Sequence, residues 1–80
     1  MMEKIMEILK ELRPDVDFEA EKELIDGGIL SSFDIITLIE ELSDAYDIDI
    51  ETDDIIPENL NSAEGIYRLM QRLLSGEENI

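Results

Sequence analysis

The chain predicts an all-α fold: three longer helices, one short helix, and a long structured loop between the first two. Three observations carry that expectation. Apolar residues recur at helical spacing in three separate stretches, each bordered by acids. Pro14, Gly27-Gly28, Pro57 and Ser75-Gly76 punctuate the chain between and after those stretches. The single period-two run, Asp47-Ile48-Asp49-Ile50-Glu51, has no second run to pair with as a strand.

Residues 2 to 12 read as the first helix. Ile5, Ile8, Leu9 and Leu12 fall at i, i+3, i+4 and i+7, with Glu3, Glu7 and Glu11 opposite. Pro14 stops it, because the residue before a proline is pushed out of the helical region. Residues 13 to 30 form a connection long enough to need its own anchors, and Val16, Phe18, Leu24, Ile29 and Leu30 can supply them. Part of 19 to 25 is expected to turn helically, and Gly27-Gly28 allows a sharp bend.

The second helix is expected over 32 to 46. Ile35, Ile36, Leu38, Ile39, Leu42 and Tyr46 form a broad apolar face. Asp34, Thr37, Glu41 and Asp44 lie opposite, with Glu40 at their border. Phe33 points to the acidic side and is expected to stay partly exposed; the alternative is that it tucks under the preceding loop. The stretch from Asp47 to Glu51 reads as a loop whose isoleucines plug the core. One helical turn is expected over Asp53 to Ile56, ended by Pro57. Asn61 or Ser62 caps the last helix, whose stripe is Ile66, Leu69, Met70 and Leu73. Ser75-Gly76 ends it, and residues 77 to 80 are expected to fray. The whole of 1–80 reads as one domain.

Composition narrows the function classes. Twenty-two acids against six bases give a formal charge of −16. Between Lys22 and Arg68 lie thirteen acids and no base. Nucleic acid and anionic membrane surfaces both select for Lys and Arg, so neither is an expected partner. Basic protein surfaces are. Apolar residues make up 44% of the chain, which separates it from charged disordered segments. Cysteine and histidine are absent, which removes thiolate chemistry, disulfides and the commonest general base. No apolar run reaches membrane-spanning length and the N-terminus does not read as a signal peptide, so a cytoplasmic monomer is expected.

Chemistry concentrates at Gly28-Ile29-Leu30-Ser31-Ser32-Phe33-Asp34. With Ser31 as N-cap, Asp34 sits at the third helical position and completes a capping-box pattern. Ser32 is then left at the first helical position, facing solvent. No catalytic partner for it is apparent in sequence, so Ser32 suits covalent attachment by another enzyme better than catalysis; the chain is not expected to be an enzyme. Serines at a helix start also serve simply as loop terminators. A rival pattern, Asp47-x-Asp49-x-Glu51-x-Asp53 with Glu58 twelfth, approaches a calcium-binding EF-hand loop, but Thr52 stands where the turn glycine belongs. Loose, nonspecific binding of divalent cations fits these acids better, and no dedicated metal ligands are expected.

The stretch from Gly28 to Ile39, the Tyr46-Asp47-Ile48-Asp49-Ile50 exit and Pro57-Glu58-Asn59-Leu60-Asn61-Ser62 before the last helix together resemble the acyl carrier proteins. They are similar to D-alanyl carriers and related stand-alone forms in particular, and the resemblance spans essentially the whole chain. It implies an acyl-carrier-like four-helix bundle with a covalent 4′-phosphopantetheine arm on Ser32. A phosphopantetheinyl transferase would install the arm, drawing it from coenzyme A. The thiol of the arm would hold an acyl or aminoacyl group as a thioester, as in fatty acid or nonribosomal peptide biosynthesis. Acyl- or aminoacyl-activating and transferring enzymes with basic docking patches would contact Ser31, Phe33, Asp34, Thr37, Glu40, Glu41 and Asp44. The family pattern is Asp-Ser where this chain has Ser31-Ser32. That departure implies weaker capping and slower arm transfer. It also leaves a second expectation open, a carrier-fold acidic adaptor that is never modified.

Overall fold

The computed structural model describes residues 1–76; the expected fraying of 77–80 lies outside the described residues. The architecture is an all-helical bundle of α1 (Met2–Leu12), α2 (Ser32–Tyr46), α3 (Pro57–Leu60) and α4 (Ala63–Ser75), with a 3₁₀ turn at Thr52–Asp54. No strand forms among the described residues. α1 packs on α2 and on α4, and α3 packs on α4.

The helical stripes meet in one core. Ile5, Ile8 and Leu9 of α1, Leu38 and Leu42 of α2, and Ile66, Leu69 and Met70 of α4 are buried. Phe18, Leu24 and Leu30 join them from the long connection, each nearly or wholly removed from solvent. Burying a side chain of this size is worth about 1.5–3 kcal/mol. Three such residues therefore hold the connection as firmly as a helix face would. Its backbone makes single helical turns, with Glu21 N–H donating to Asp17 O at 3.0 Å and Gly27 N–H to Glu23 O at 2.7 Å, but no regular helix over 19 to 25.

One asparagine does much of the remaining work on that connection. The Asn61 carbonyl accepts from Leu24 N–H at 2.9 Å, and its side-chain oxygen accepts from Ile25 at 2.9 Å and Asp26 at 3.0 Å. Its amide nitrogen donates to Asp26 Oδ2. Nearby, Lys22 Nζ reaches both oxygens of Glu64 at 2.9 Å. The chain then bends at Gly27-Gly28. A Cβ on Gly27 would stand 2.6 Å from the Glu23 carbonyl oxygen, and Gly28 has φ +70°, so both positions favour glycine for different reasons.

The second connection behaves as a loop, with Ile48 and Ile50 packed against the core. The short helix differs from expectation. The turn before Pro57 is 3₁₀ and covers Thr52–Asp54, while α3 begins at Pro57 instead of ending there. At the first position of a helix the missing proline N–H removes no intrahelical bond, so proline starts this helix as readily as it would stop another. Ser62, not Asn61, caps α4: its hydroxyl accepts from Gly65 N–H at 3.0 Å. Gly76 closes α4 in the left-handed conformation.

Candidate functional site

α2 starts as its sequence pattern requires. Ser31 is extended, its hydroxyl accepts from Asp34 N–H at 3.1 Å, and Asp34 Oδ2 accepts from Ser31 N–H at 3.1 Å. Where the carriers this chain resembles have aspartate, serine closes the box with its own hydroxyl. Asp34 also lies near the positive end of the helix dipole. Its carboxyl is held below the ordinary value chiefly by the Ser31 backbone N–H, against the opposing push of desolvation, with smaller help from the Ser31 side chain and Arg13.

Ser32 follows at the first helical position, exposed. Its hydroxyl has no hydrogen-bond partner among the described residues, whereas the Ser31 hydroxyl is engaged. The two serines thus differ: the Ser31 hydroxyl is engaged in the cap, and the Ser32 hydroxyl is exposed and unbonded.

Phe33 is 76% exposed and Ile36 57% exposed. The outward placement of Phe33 follows the wheel. Ile36 does not belong to the buried face expected for it. At about 100° per residue it comes round to within roughly 60° of Phe33, too far from Leu38 and Leu42 to share their burial. Glu40 returns to within about 20° of Phe33 and is exposed near the centre of this face, not at its border. Glu41 and Asp44 are exposed too, while Thr37 is half-buried. The face therefore combines two large apolar side chains with acids one and two turns further along. Asp34 stands apart from it, its side chain only 17% exposed and tied into the cap.

The far end of α2 opens onto a groove of about 550 Å³, lined by Glu40, Asp44, Asp47 and Asp49 together with Ile39, Ser43 and Ile48. Asp47 caps the helix with φ 52°, the one non-glycine residue with positive φ among those described, and no base lies in the last turn. In the next segment, the EF-hand pattern does not converge. Thr52–Asp54 winds into 3₁₀, and Asp54 Oδ2 accepts from Glu51 N–H at 3.2 Å. Among the described residues no group of three or more acids is gathered as metal ligands would be.

One participant was invisible in the sequence. The Arg13 guanidinium reaches from the end of α1 to the start of α2, donating to Ile29 O at 2.8 Å and Asp34 Oδ2 at 3.4 Å. It also donates to Asp15 at 3.0 and 3.2 Å. Asp15, ahead of Asp34, holds the guanidinium firmly protonated, and Arg13 in turn lowers the Asp15 carboxyl. A contact across 16 to 21 residues leaves no periodic trace; the only hint was an arginine directly after a helix in a chain with few bases.

The chain matches no family model, no curated protein and no solved structure. Among the described residues no helix is long and apolar enough to cross a membrane.

Proposed function

We propose that this protein is a carrier, with Ser32 the attachment point of a 4′-phosphopantetheine arm. The observation that carries the reading is the division of labour at the start of α2. Ser31 is consumed by the cap, while Ser32 stands exposed and unbonded beside an outward Phe33. The arrangement also suits the arm's charge. A phosphodiester on Ser32 would sit at the positive end of α2, where first-turn N–H groups favour an anion.

No side chain near Ser32 can deprotonate it, so a transferase supplies the chemistry. The Ser32 oxygen forms a bond to the pantetheine-side phosphorus of coenzyme A. The pyrophosphate bond breaks, adenosine 3′,5′-bisphosphate leaves, and the serine proton passes to a base of the transferase. The arm's thiol then carries an acyl or aminoacyl group as a thioester. The face formed by Phe33, Ile36, Glu40 and Asp44 docks enzymes whose patches are basic around an apolar centre, a combination in which charge steers encounter and the apolar pair supplies contact.

A second reading is favoured by the Ser31-Ser32 sequence itself, which lacks the carboxylate found before the serine in the carriers this chain resembles. In that reading the same face serves an unmodified acidic adaptor. Incubation with coenzyme A, magnesium and a broad-specificity transferase, followed by intact mass measurement, separates the two. One phosphopantetheinyl group added to the wild type but not to Ser32→Ala supports the carrier. No addition with several transferases supports the adaptor.

A further inference from the structure

We propose that Arg13 is a positioning residue for Ser32, locking the chain on both sides of it so that its hydroxyl is presented in one orientation to the enzyme that modifies it. This rests on the carrier reading of Ser32.

The contacts bracket the serine. Ile29, three residues before Ser32, gives its carbonyl to Arg13 Nη1 at 2.8 Å, and Asp34, two residues after it, accepts from the same nitrogen at 3.4 Å. Asp34 Oδ2 is also the atom that accepts from Ser31 N–H. A single guanidinium therefore ties the end of α1 to the turn before the cap and to the first turn of α2. Asp15 orients it from the other side, taking Nε at 3.2 Å and Nη2 at 3.0 Å in a two-point grip. This use needs arginine. The planar fork offers five donors in fixed directions, whereas a lysine ammonium is a compact point charge that cannot reproduce the fork. The Arg13 side chain is 32% exposed and its Asp15 partner 68%, and ion pairs so open to water add little to global stability. The consequence of losing Arg13 is therefore local, falling on the segment from Ile29 to Asp34.

The test compares wild type with Arg13→Gln, Arg13→Lys and Asp15→Ala in arm transfer, with amide hydrogen exchange and thermal unfolding read alongside. Arg13→Gln is expected to keep the wild-type melting temperature within a few degrees. The Asp34 and Ile35 amides, which bond to Ser31, should exchange faster. kcat for arm transfer should fall by roughly 10-fold while KM stays nearly constant, the signature of a misplaced reacting group as opposed to a lost contact. Arg13→Lys should recover only part of that loss. Asp15→Ala, whose side-chain hydrogen bonds go to Arg13 and not to α2, should move kcat the same way by less, and it carries the test if Arg13→Gln does not fold. An unchanged kcat in these variants, or a rise in KM alone, overturns the proposal while leaving the carrier reading intact. A wild type that accepts no arm overturns both.

Discussion

The two ends of α2 are built on opposite terms. At its start the capping groups are answered and only the Ser32 hydroxyl is left unbonded among the described residues: Ser31 and Asp34 close a capping box, and Arg13 balances the carboxylate. At its end Asp47 adopts a left-handed conformation that a side chain disfavours, and Asp44 and Asp47 sit where the helix dipole favours bases, with none in the last turn. Between them run Phe33, Ile36 and Glu40, exposed along one side. The chain supplies its own order around Ser32 and leaves the other end electrostatically incomplete, a deficit that a basic partner would relieve. Local rules broken without internal compensation are characteristic of functional surfaces.

Substitutions at each end should therefore have opposite signs. The largest effect is expected from Ser31→Ala, which removes the cap and should cost about 1 kcal/mol, read as a fall in melting temperature of roughly 4–8 °C for a domain of this size. If that variant melts like the wild type, the start of α2 is not held by its cap. At the other end, Asp47→Gly should stabilise by about 0.5 kcal/mol, the relieved left-handed strain less the entropy that glycine adds to the unfolded chain. Sodium chloride should raise the wild-type melting temperature by screening repulsion among the acids, and Asp44→Lys should both stabilise, by about 0.3–1 kcal/mol, and reduce that rise. Destabilisation by both changes would mean that the far end is already at its optimum. Ser31→Asp should leave stability nearly unchanged, since both residues cap well, yet speed arm transfer; an equal or slower rate would show that an aspartate at this position, as in the carriers the chain resembles, contributes to capping alone.

The smallest effect is in the pH dependence. Because the Asp34 carboxyl is lowered on folding, its charge contributes stability above the ordinary value of 3.8, and that contribution disappears as pH falls through the lowered folded value. The difference between wild type and Asp34→Asn should accordingly be constant at neutral pH and shrink below about pH 4. A gap that persists to pH 2 would place the loss in hydrogen-bond geometry instead of charge.

Much of this was legible in the sequence. Stripes such as Ile5, Ile8 and Leu9 or Ile66, Leu69 and Met70 are periodic, and periodicity survives without the rest of the structure. The Ser31–Asp34 box is equally local, as is the outward turn of Phe33. Ile36 misleads because it is apolar and adjoins Ile35: hydrophobicity suggests the core while the helical angle points away from it. Pro57 reads as a stop, though the same missing N–H suits a start. Asn61 and Arg13 were hidden for another reason. Their effect comes from bonds to backbone groups 16 to 37 residues away, which no local spacing encodes. They fix the loop that carries the serine, so the identity of the candidate residue was readable and the means of holding it was not.

The account turns on Ser32 being the reactive serine and Ser31 the structural one. Fragmentation mass spectrometry of the protein after arm transfer, mapping the phosphopantetheinyl group between these adjacent residues, tests this most directly. The account predicts the group on Ser32 alone, with Ser31→Ala still modified at Ser32. A group found on Ser31, or an adduct that survives Ser32→Ala, would contradict it.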